Sequence, residues 1–321
     1  PVATLVDNGV ISGRNEKFIE KLYSTVTEAM KSAVEDMEGG QLYFGSTDVS
    51  EFMYDKRQPI VVDPELVRLR FVPDNESSDE LWICEAGIHC VGLGAAPDRL
   101  TSDFPYYLKQ YIKKKTGADV VYVQGTELAI TADYDSVTYD ESKGDVEKLN
   151  AMGTAIAKKV LSIDNDTRLE PVLNVVHREI TVKPDNQILV LAVREGLFNS
   201  VVAKDGLGLR LITEIGYMEL GNKVGIFMTP GEIAPEILFG GAADKNLSWS
   251  ADTWDYAPLC ETAGVDRLIC FGLCNDQIGY ILCDNDFRSI LTENEEILAS
   301  SSKSGSTIAD AFEGLIGEIK P

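Results

Sequence analysis

The order of predicted helices and strands constrains the fold of this chain most, because that order changes near residue 165. Apolar residues three or four positions apart predict helices over 15–38, 104–115 and 145–163. Between them, short apolar or alternating runs predict strands at 41–45, 66–72, 81–84 and 119–123. Further along, β-rich segments dominate, at 170–183, 187–194, 206–219 and 223–229.

The remainder of the chain is predicted to hold a short helix near Pro230, strands at 266–274 and 278–283, and a last helix at 305–319. Neither a Gly/Ser-rich linker nor an internal repeat divides the sequence. We therefore predict an α/β fold with mixed sheet layers and flanking helices, as one continuous domain over 1–321. Its α/β part covers about 1–165 and its β-rich part about 166–321.

The charge balance limits the partners of the chain. Among 321 residues, 52 are acidic and 29 basic, which gives a formal charge of −23. Phosphate backbones would repel such a chain, so we predict no nucleic-acid partner. No apolar run approaches the roughly 20 residues of a membrane span, so we predict no transmembrane segment. The sequence leaves a homo-oligomer open.

The ends and the cysteines bear on the cellular compartment. No basic segment followed by an apolar one opens the chain, so we expect no signal peptide in it. The first residue is Pro1 and not Met, and we expect that an upstream segment has been removed. The six cysteines form no CxxC pair, which predicts reduced, buried thiols. These observations favour a cytoplasmic protein, or an exported one if a signal was removed.

Histidine is scarce, and one of the two histidines lies in a candidate site. His89 follows the predicted strand at 81–84, inside the glycine-bounded segment EAGIHCVGLG at 85–94. Glycine lets backbone approach a ligand, and imidazole offers a nitrogen to a metal or a proton. A structural histidine at a strand end is the alternative. His177 lies within a predicted strand, and we interpret it as structural.

A second candidate segment, VGIFMTPGE at 224–232, is an apolar strand ending in Pro-Gly and a carboxylate. Ligands of α/β proteins often lie at strand carboxyl ends, where Glu232 could bind a cation. The alternative is a glutamate that simply favours the start of a helix.

A third candidate segment, NDQIGY at 275–280, separates two apolar strands. Asn-Asp suits a hairpin turn, which is the alternative interpretation. A tight turn requires neither Gln277 nor Tyr280, so a function for the segment stays open beside it.

These three segments, in this order, resemble the neutral (non-lysosomal) ceramidase family, zinc amidases that hydrolyse the N-acyl bond of ceramides. The resemblance extends to DKRQP at 55–59, which is similar to an Asn-Arg-x-Pro stretch of that family. It also includes Asp63-Pro64 and Ser300-Ser301-Ser302. It implies a fold like the ceramidase catalytic domain, a zinc cofactor and a small-molecule or lipid amide substrate.

The resemblance also implies roles for individual residues. His89 matches a zinc-binding histidine, and Glu232 matches the zinc-binding glutamate of the PGE motif. Gln277 stands where the family has a zinc-binding tyrosine, and Tyr280 is close by. The implied metal ligands are His89, Glu232 and Gln277, and the implied catalytic residues, which would hold the oxyanion, are Asn275 and Tyr280.

Three features depart from the family pattern. The early His-Thr-His-Ser-Gly-Pro type motif is absent, and would fall upstream of Pro1. Gln277 replaces the tyrosine. GTELAIT at 125–131 replaces a Gly-Asp-x-Ser-Pro segment. The sequence thus supports two hypotheses: a zinc-dependent amide hydrolase, or a non-catalytic or redirected relative that binds a small molecule or partner.

Overall fold

The computed structural model describes residues 4–6, 9–11, 15–94, 100–194, 201–205, 208–289 and 295–319. The helices in these ranges are α1 (Glu16–Glu35), α2 (Asp103–Thr116), α3 (Asp145–Leu161), α4 (Gln187–Arg194), α5 (Pro235–Phe239), α6 (Leu259–Ala263) and α7 (Ser304–Ile319). The predictions concerning Pro1 and positions 206–207 lie outside the described residues. No described helix has both the length and the apolar content that crossing a bilayer requires.

The strands form two larger sheets and three small pairs. In chain order they are β1 (Thr4–Val6), β2 (Gly9–Ile11), β3 (Gly40–Asp48), β4 (Met53–Asp55), β5 (Glu65–Pro73), β6 (Leu81–Ala86), β7 (Asp119–Gln124), β8 (Ile130–Ala132), β9 (Thr167–Arg168), β10 (Leu173–Val182), β11 (Val201–Asp205), β12 (Gly208–Leu220), β13 (Val224–Met228), β14 (Glu232–Ile233), β15 (Arg267–Phe271) and β16 (Tyr280–Ile281). The small pairs are β1–β2, β4–β8 and β14–β16.

The first sheet has the order β7-β6-β5-β3-β9 and is antiparallel except for the parallel pair β6–β7. The second has the order β10-β12-β13-β15, with β11 also on β12, and its parallel pair is β13–β15. Each sheet therefore combines antiparallel strands with one parallel pair. Only parallel neighbours need a crossover connection, and α2 supplies it between β6 and β7.

The two sheets stack face to face because their strands are apolar on both sides. Leu66 of β5 packs with α2 and α3 in one core, whereas its neighbour Val67 packs against Val224 and Ile269 of the second sheet. Phe227 of β13 points the other way, into a core with Phe312 of α7. The layers are thus helix, sheet, sheet and helix, which confirms the predicted α/β class with flanking helices. The single-domain assignment stays a prediction.

Two predicted elements were wrong. The segment predicted as a strand at 187–194 is helix α4. The spacing of apolar residues in this continuous apolar run does not distinguish a strand from a helix. The Asn186 side chain accepts hydrogen bonds from the Ile188 and Leu189 amides at 3.1 and 3.3 Å, as a helix N-cap does. The helix expected at Pro230 begins only at Pro235, so Glu232 lies in strand β14 and not at a helix start.

The alternation of apolar and basic residues at 66–72 predicts a strand with one solvent-facing side, and this prediction is wrong at Arg68. Arg68 is buried, with its guanidinium over the Trp82 ring at 4.7 Å. It donates hydrogen bonds to the Val160 carbonyl at 3.1 Å and to Asp166 at 2.8 Å, which compensate for burying the charge. The prediction of unpaired thiols was correct, since all six cysteines are free: Cys84, Cys270 and Cys283 are buried and the other three half-buried.

Candidate metal centre

The candidate site lies where the two parallel strand pairs end. His89 follows β6, Glu127 follows β7, Glu232 follows β13, and Gln277 follows β15. The ends of the two sheets are joined by a backbone hydrogen bond of 2.9 Å, from the Gly272 amide to the Gln124 carbonyl. Carboxyl ends of parallel strands meet at one edge of a sheet, and here two such edges meet. This arrangement brings together segments from both parts of the chain.

Glycines permit the close approach of these segments. A Cβ on Gly87 would lie 2.3 Å from the Thr126 carbonyl oxygen, and one on Gly231 would lie 2.4 Å from the Gly279 carbonyl oxygen. Both distances are too short for any real side chain, so only glycine fits. At Gly87 the close approach is to another backbone segment and not, as the sequence predicts for the glycines beside His89, to a ligand.

His89 and Glu232, the two residues matched to metal ligands, are in direct contact. The imidazole Nε2 lies 2.7 Å from Glu232 Oε2. The imidazole Nδ1 lies 2.8 Å from the Ile130 carbonyl oxygen, which can only accept, so Nδ1 carries a proton. Nε2 is therefore the nitrogen turned toward the site, an orientation that second-sphere carbonyls commonly give to metal-binding histidines.

Glu127 is the residue that sequence reasoning missed. It is 2% exposed, and its Oε2 has no hydrogen-bond partner among the described residues. Ligand atoms of His89, Glu127 and Glu232 all lie within 4.8 Å of one another. A signal did exist, because Gly-Thr-Glu follows β7 much as Pro-Gly-Glu follows β13. The segment that contains Glu127 has neither the serine nor the aspartate of the family segment that it replaces.

The NDQIGY segment places its predicted residues differently. Gln277 Nε2 donates to Glu232 Oε1 at 3.0 Å, and Gln277 Oε1 accepts from the Gly279 amide at 3.0 Å. Tyr280 pairs with Glu232 across β14–β16, and its hydroxyl hydrogen-bonds the Glu232 carboxylate. The Asn275 amide instead donates to Glu214 of β12. The structure thus groups His89, Glu232, Gln277 and Tyr280, and turns Asn275 away.

The other histidine takes no part in the centre. His177 lies in β10, where its imidazole is 75% exposed and Nδ1 is 3.8 Å from Glu214 Oε2. Its interpretation as a strand residue is confirmed.

The charges at the centre shift one another's pKa. Burial lowers the pKa of His89, but the Glu232 hydrogen bond and the Glu127 charge outweigh it and keep that pKa above its ordinary value. Burial raises the pKa of Glu232, but hydrogen bonds from His89, Gln277 and Tyr280 bring it below its ordinary value. Burial and the neighbouring Glu232 charge raise the pKa of Tyr280. Near neutral pH, Glu232 is therefore ionised and Tyr280 keeps its proton.

The pKa of Glu127 is shifted in the opposite direction from that of Glu232. Burial and the repulsion from Glu232 raise its pKa to about 7, although the attraction of His89 acts in the opposite direction. The centre thus contains two carboxyl groups that share one imidazole. A divalent cation would relieve their repulsion, and zinc binds both imidazole nitrogens and carboxylate oxygens, with three protein ligands in its catalytic sites. The residues present therefore fit a zinc ion, without any histidine beyond His89.

An apolar cavity of about 180 Å³ adjoins the centre. Its wall includes Glu232, Gln277 and Tyr280. The rest is mainly apolar, and consists of Pro184, Leu189, Val193, Leu211, Ile278, Gly279, Leu298 and Ser300. A few polar groups at one side of an apolar pocket are typical of small-molecule sites.

Two solved structures share this fold. The neutral ceramidase from Pseudomonas aeruginosa matches 95% of this chain with a TM-score of 0.69 and 13% sequence identity. A ceramidase complexed with C2 matches 88% of this chain with a TM-score of 0.62 and 12% identity. The chain spans 56% and 54% of the lengths of those two proteins. No family model and no curated protein matches the sequence.

The chain therefore has a mixed α/β fold similar to that of the neutral ceramidases. At these identities the similarity shows the fold alone.

Proposed function

We propose that this protein is a zinc-dependent hydrolase that cleaves an N-acyl amide bond, with His89, Glu127 and Glu232 as the metal ligands. The observation that carries the proposal is the direct contact of His89 with Glu232, 143 positions apart in sequence, beside the buried carboxyl group of Glu127. The resemblance to ceramidases, made from sequence, matched two of these three residues to ligands. The ceramidase-like fold supports it.

Zinc, when bound, would polarise a substrate carbonyl and lower the pKa of a bound water to about 7. The protein groups prepare the site for it. Ile130 fixes the tautomer of His89, so that Nε2 faces the two carboxylates. Gln277 and Tyr280 hold Glu232 by hydrogen bonds, which orients its carboxylate. We accordingly assign Gln277 a positioning role and not that of a ligand.

Tyr280 is the catalytic residue that we retain from the sequence prediction. Its hydroxyl keeps its proton near neutral pH, and it lies in the wall of the apolar cavity. In this proposal its single O–H proton, which hydrogen-bonds Glu232 in the absence of substrate, turns to the carbonyl oxygen of a bound amide as negative charge develops there. The cavity would hold the apolar part of the substrate. Asn275 has no role at the centre in this proposal, because its amide is engaged by Glu214.

Zinc titration of the full chain tests the ligand assignment. After chelation and removal of the chelator, calorimetry should give one zinc per chain. His89→Ala, Glu127→Gln and Glu232→Gln should each weaken binding by at least about tenfold. His177→Ala, at an exposed position of the edge strand β10, is the matched control and should bind like the parent. Unchanged zinc binding in both His89→Ala and Glu232→Gln would contradict the assignment.

Amine release from a panel of N-acyl amides tests the reaction. We expect zinc-dependent hydrolysis by the parent chain and a large loss of rate in Tyr280→Phe, measured at saturating zinc because this variant also loses a hydrogen bond that orients Glu232. The apolar cavity favours a second candidate, a non-catalytic protein that binds a small molecule there. Zinc binding without hydrolysis, together with ligand binding that Leu189→Glu abolishes, would support that candidate over the enzyme.

A further inference from the structure

Helix α1 is amphipathic, yet its apolar side is uncovered. Among the described residues, none of its 20 residues is buried. Six large apolar side chains along and just beyond the helix are between 44% and 74% exposed: Phe18, Leu22, Val26, Met30, Val34 and Met37. An isolated helix of this length is marginal in water and needs packing for stability. A contiguous apolar surface of this kind marks an interaction site.

Three pairs of apolar residues in and just beyond α1 lie at equal distances on either side of residue 28. Val26 and Met30 each lie two positions from residue 28, Leu22 and Val34 each six, and Ile19 and Met37 each nine. Two such helices packed antiparallel, with a two-fold axis near residue 28, would place the two residues of each of these three pairs opposite each other, whereas Phe18 would lie opposite Glu38. A self-complementary patch of this type is what an isologous dimer requires.

The size of the surface also suits a second copy. The exposed parts of these side chains amount to on the order of 700 Å² per helix, close to the roughly 800 Å² that each partner buries in a stable interface. Thr25 and Thr27, beside the middle of the apolar side, are uncharged, so two copies bring no like charges together there. From the symmetry and the area, we propose that α1 pairs with α1 of a second copy of this chain, antiparallel, to form a homodimer.

Light scattering after size-exclusion chromatography measures the mass of the protein in solution and so tests whether it is a dimer. The full chain should elute at twice 35.1 kDa. Val26→Glu should shift the mass to 35.1 kDa, whereas Ser24→Glu, which adds the same charge to the opposite side of α1, should leave the dimer intact. Raising the salt concentration should tighten the dimer, because each chain carries a formal charge of −23 and salt screens that repulsion.

Disulfide trapping tests the antiparallel arrangement without adding charge. Differently tagged chains carrying Leu22→Cys and Val34→Cys should cross-link in a mixture, and neither should cross-link with itself beyond the level of the parent chain. Near-ultraviolet circular dichroism should show unchanged packing of the core in every variant, because α1 contributes no buried residue. A monomeric parent, an intact dimer in Val26→Glu, or self-linking of Leu22→Cys would each overturn the proposal.

Discussion

Glu127 and His89 shift each other's pKa in opposite directions. Burial raises the pKa of Glu127 to about 7, and the imidazole works against that rise. Burial lowers the pKa of His89, and the charge of Glu127 is among the influences that reverse this effect. Each group thus favours the charged form of the other. This mutual dependence can be measured in the metal-free protein.

Glu127→Gln should lower the pKa of His89, because the substitution removes a negative charge while preserving shape. Nuclear magnetic resonance of the imidazole protons measures this, and the task is simple because the chain has only two histidines. The His177 resonance is the internal control, and the substitution should leave it unchanged. An unaltered titration of His89 would show that the Glu127 carboxyl group does not face it.

Gly231→Ala should disturb both stability and the centre. The new Cβ would lie 2.4 Å from the Gly279 carbonyl oxygen, so the backbone that carries Glu232 must move. We expect a loss of about 1–3 kcal/mol in the free energy of unfolding, and weaker zinc binding. Gly317→Ala is the control, since its Cβ meets nothing within 4 Å and α7 gains a better helix former. Equal stabilities for the two variants would be inconsistent with the observed crowding.

Arg57→Met should destabilise the fold strongly. The Arg57 side chain is 6% exposed, and its guanidinium bonds Asp286 at 2.8 Å and Glu296 at 2.9 Å. Its loss removes the nearest cation from these two buried carboxylates, although Asp286 keeps Arg288 at 4.0 Å. Breaking a buried pair from one side costs about 3–5 kcal/mol. Urea denaturation measures this loss. Lys143→Met, which removes an exposed pair with Asp140, should cost less than about 1 kcal/mol. A similar small effect for Arg57 would refute the structural role of the network.

Glu236→Gln should change how stability depends on pH. Burial raises the pKa of Glu236 to about 7 from 4.5, so the folded state holds a proton that the unfolded state has lost between these two values. The stability from this group is full below pH 4.5 and is lost as pH rises toward and through 7. The full loss is on the order of 3 kcal/mol. The Gln variant should therefore gain stability relative to the parent between pH 5 and 8.

Thermal unfolding across that pH range checks the prediction, with the exposed Glu313→Gln as the control. Parallel pH profiles for the parent and Glu236→Gln would show that Glu236 titrates near its ordinary value in the folded protein.

Sequence patterns predicted most of the elements because their periods are strong. The helices at Glu16–Glu35, Asp103–Thr116 and Asp145–Leu161 lie within two or three residues of the predicted bounds. The prediction of a strand at 187–194 was wrong because the helical form of α4 depends on the Asn186 cap and on packing. Arg68 misled because only the tertiary fold supplies the partners that allow its burial.

The candidate site was predictable only in part. His89 and Glu232 could be matched to a family motif, because each stands in a recognisable local segment. Glu127 has no such motif, and its place beside them depends on how β7 ends against β13 and β15. Asn275 belongs to the right segment, yet its backbone adopts a left-handed conformation and its side chain reaches Glu214. Distances between segments, and not their composition, decide these two cases.

The positions of the three proposed metal ligands have a consequence for the stability of the protein. His89 and Glu127 belong to one stacked layer and Glu232 to the other, so a shared cation would fasten the layers to each other. At a free ion concentration of 100 times Kd, such a fastening adds about 2.7 kcal/mol to the folded state. Chelation would then weaken the contact between the two sheets, and the stability of the protein would increase with the occupancy of the centre.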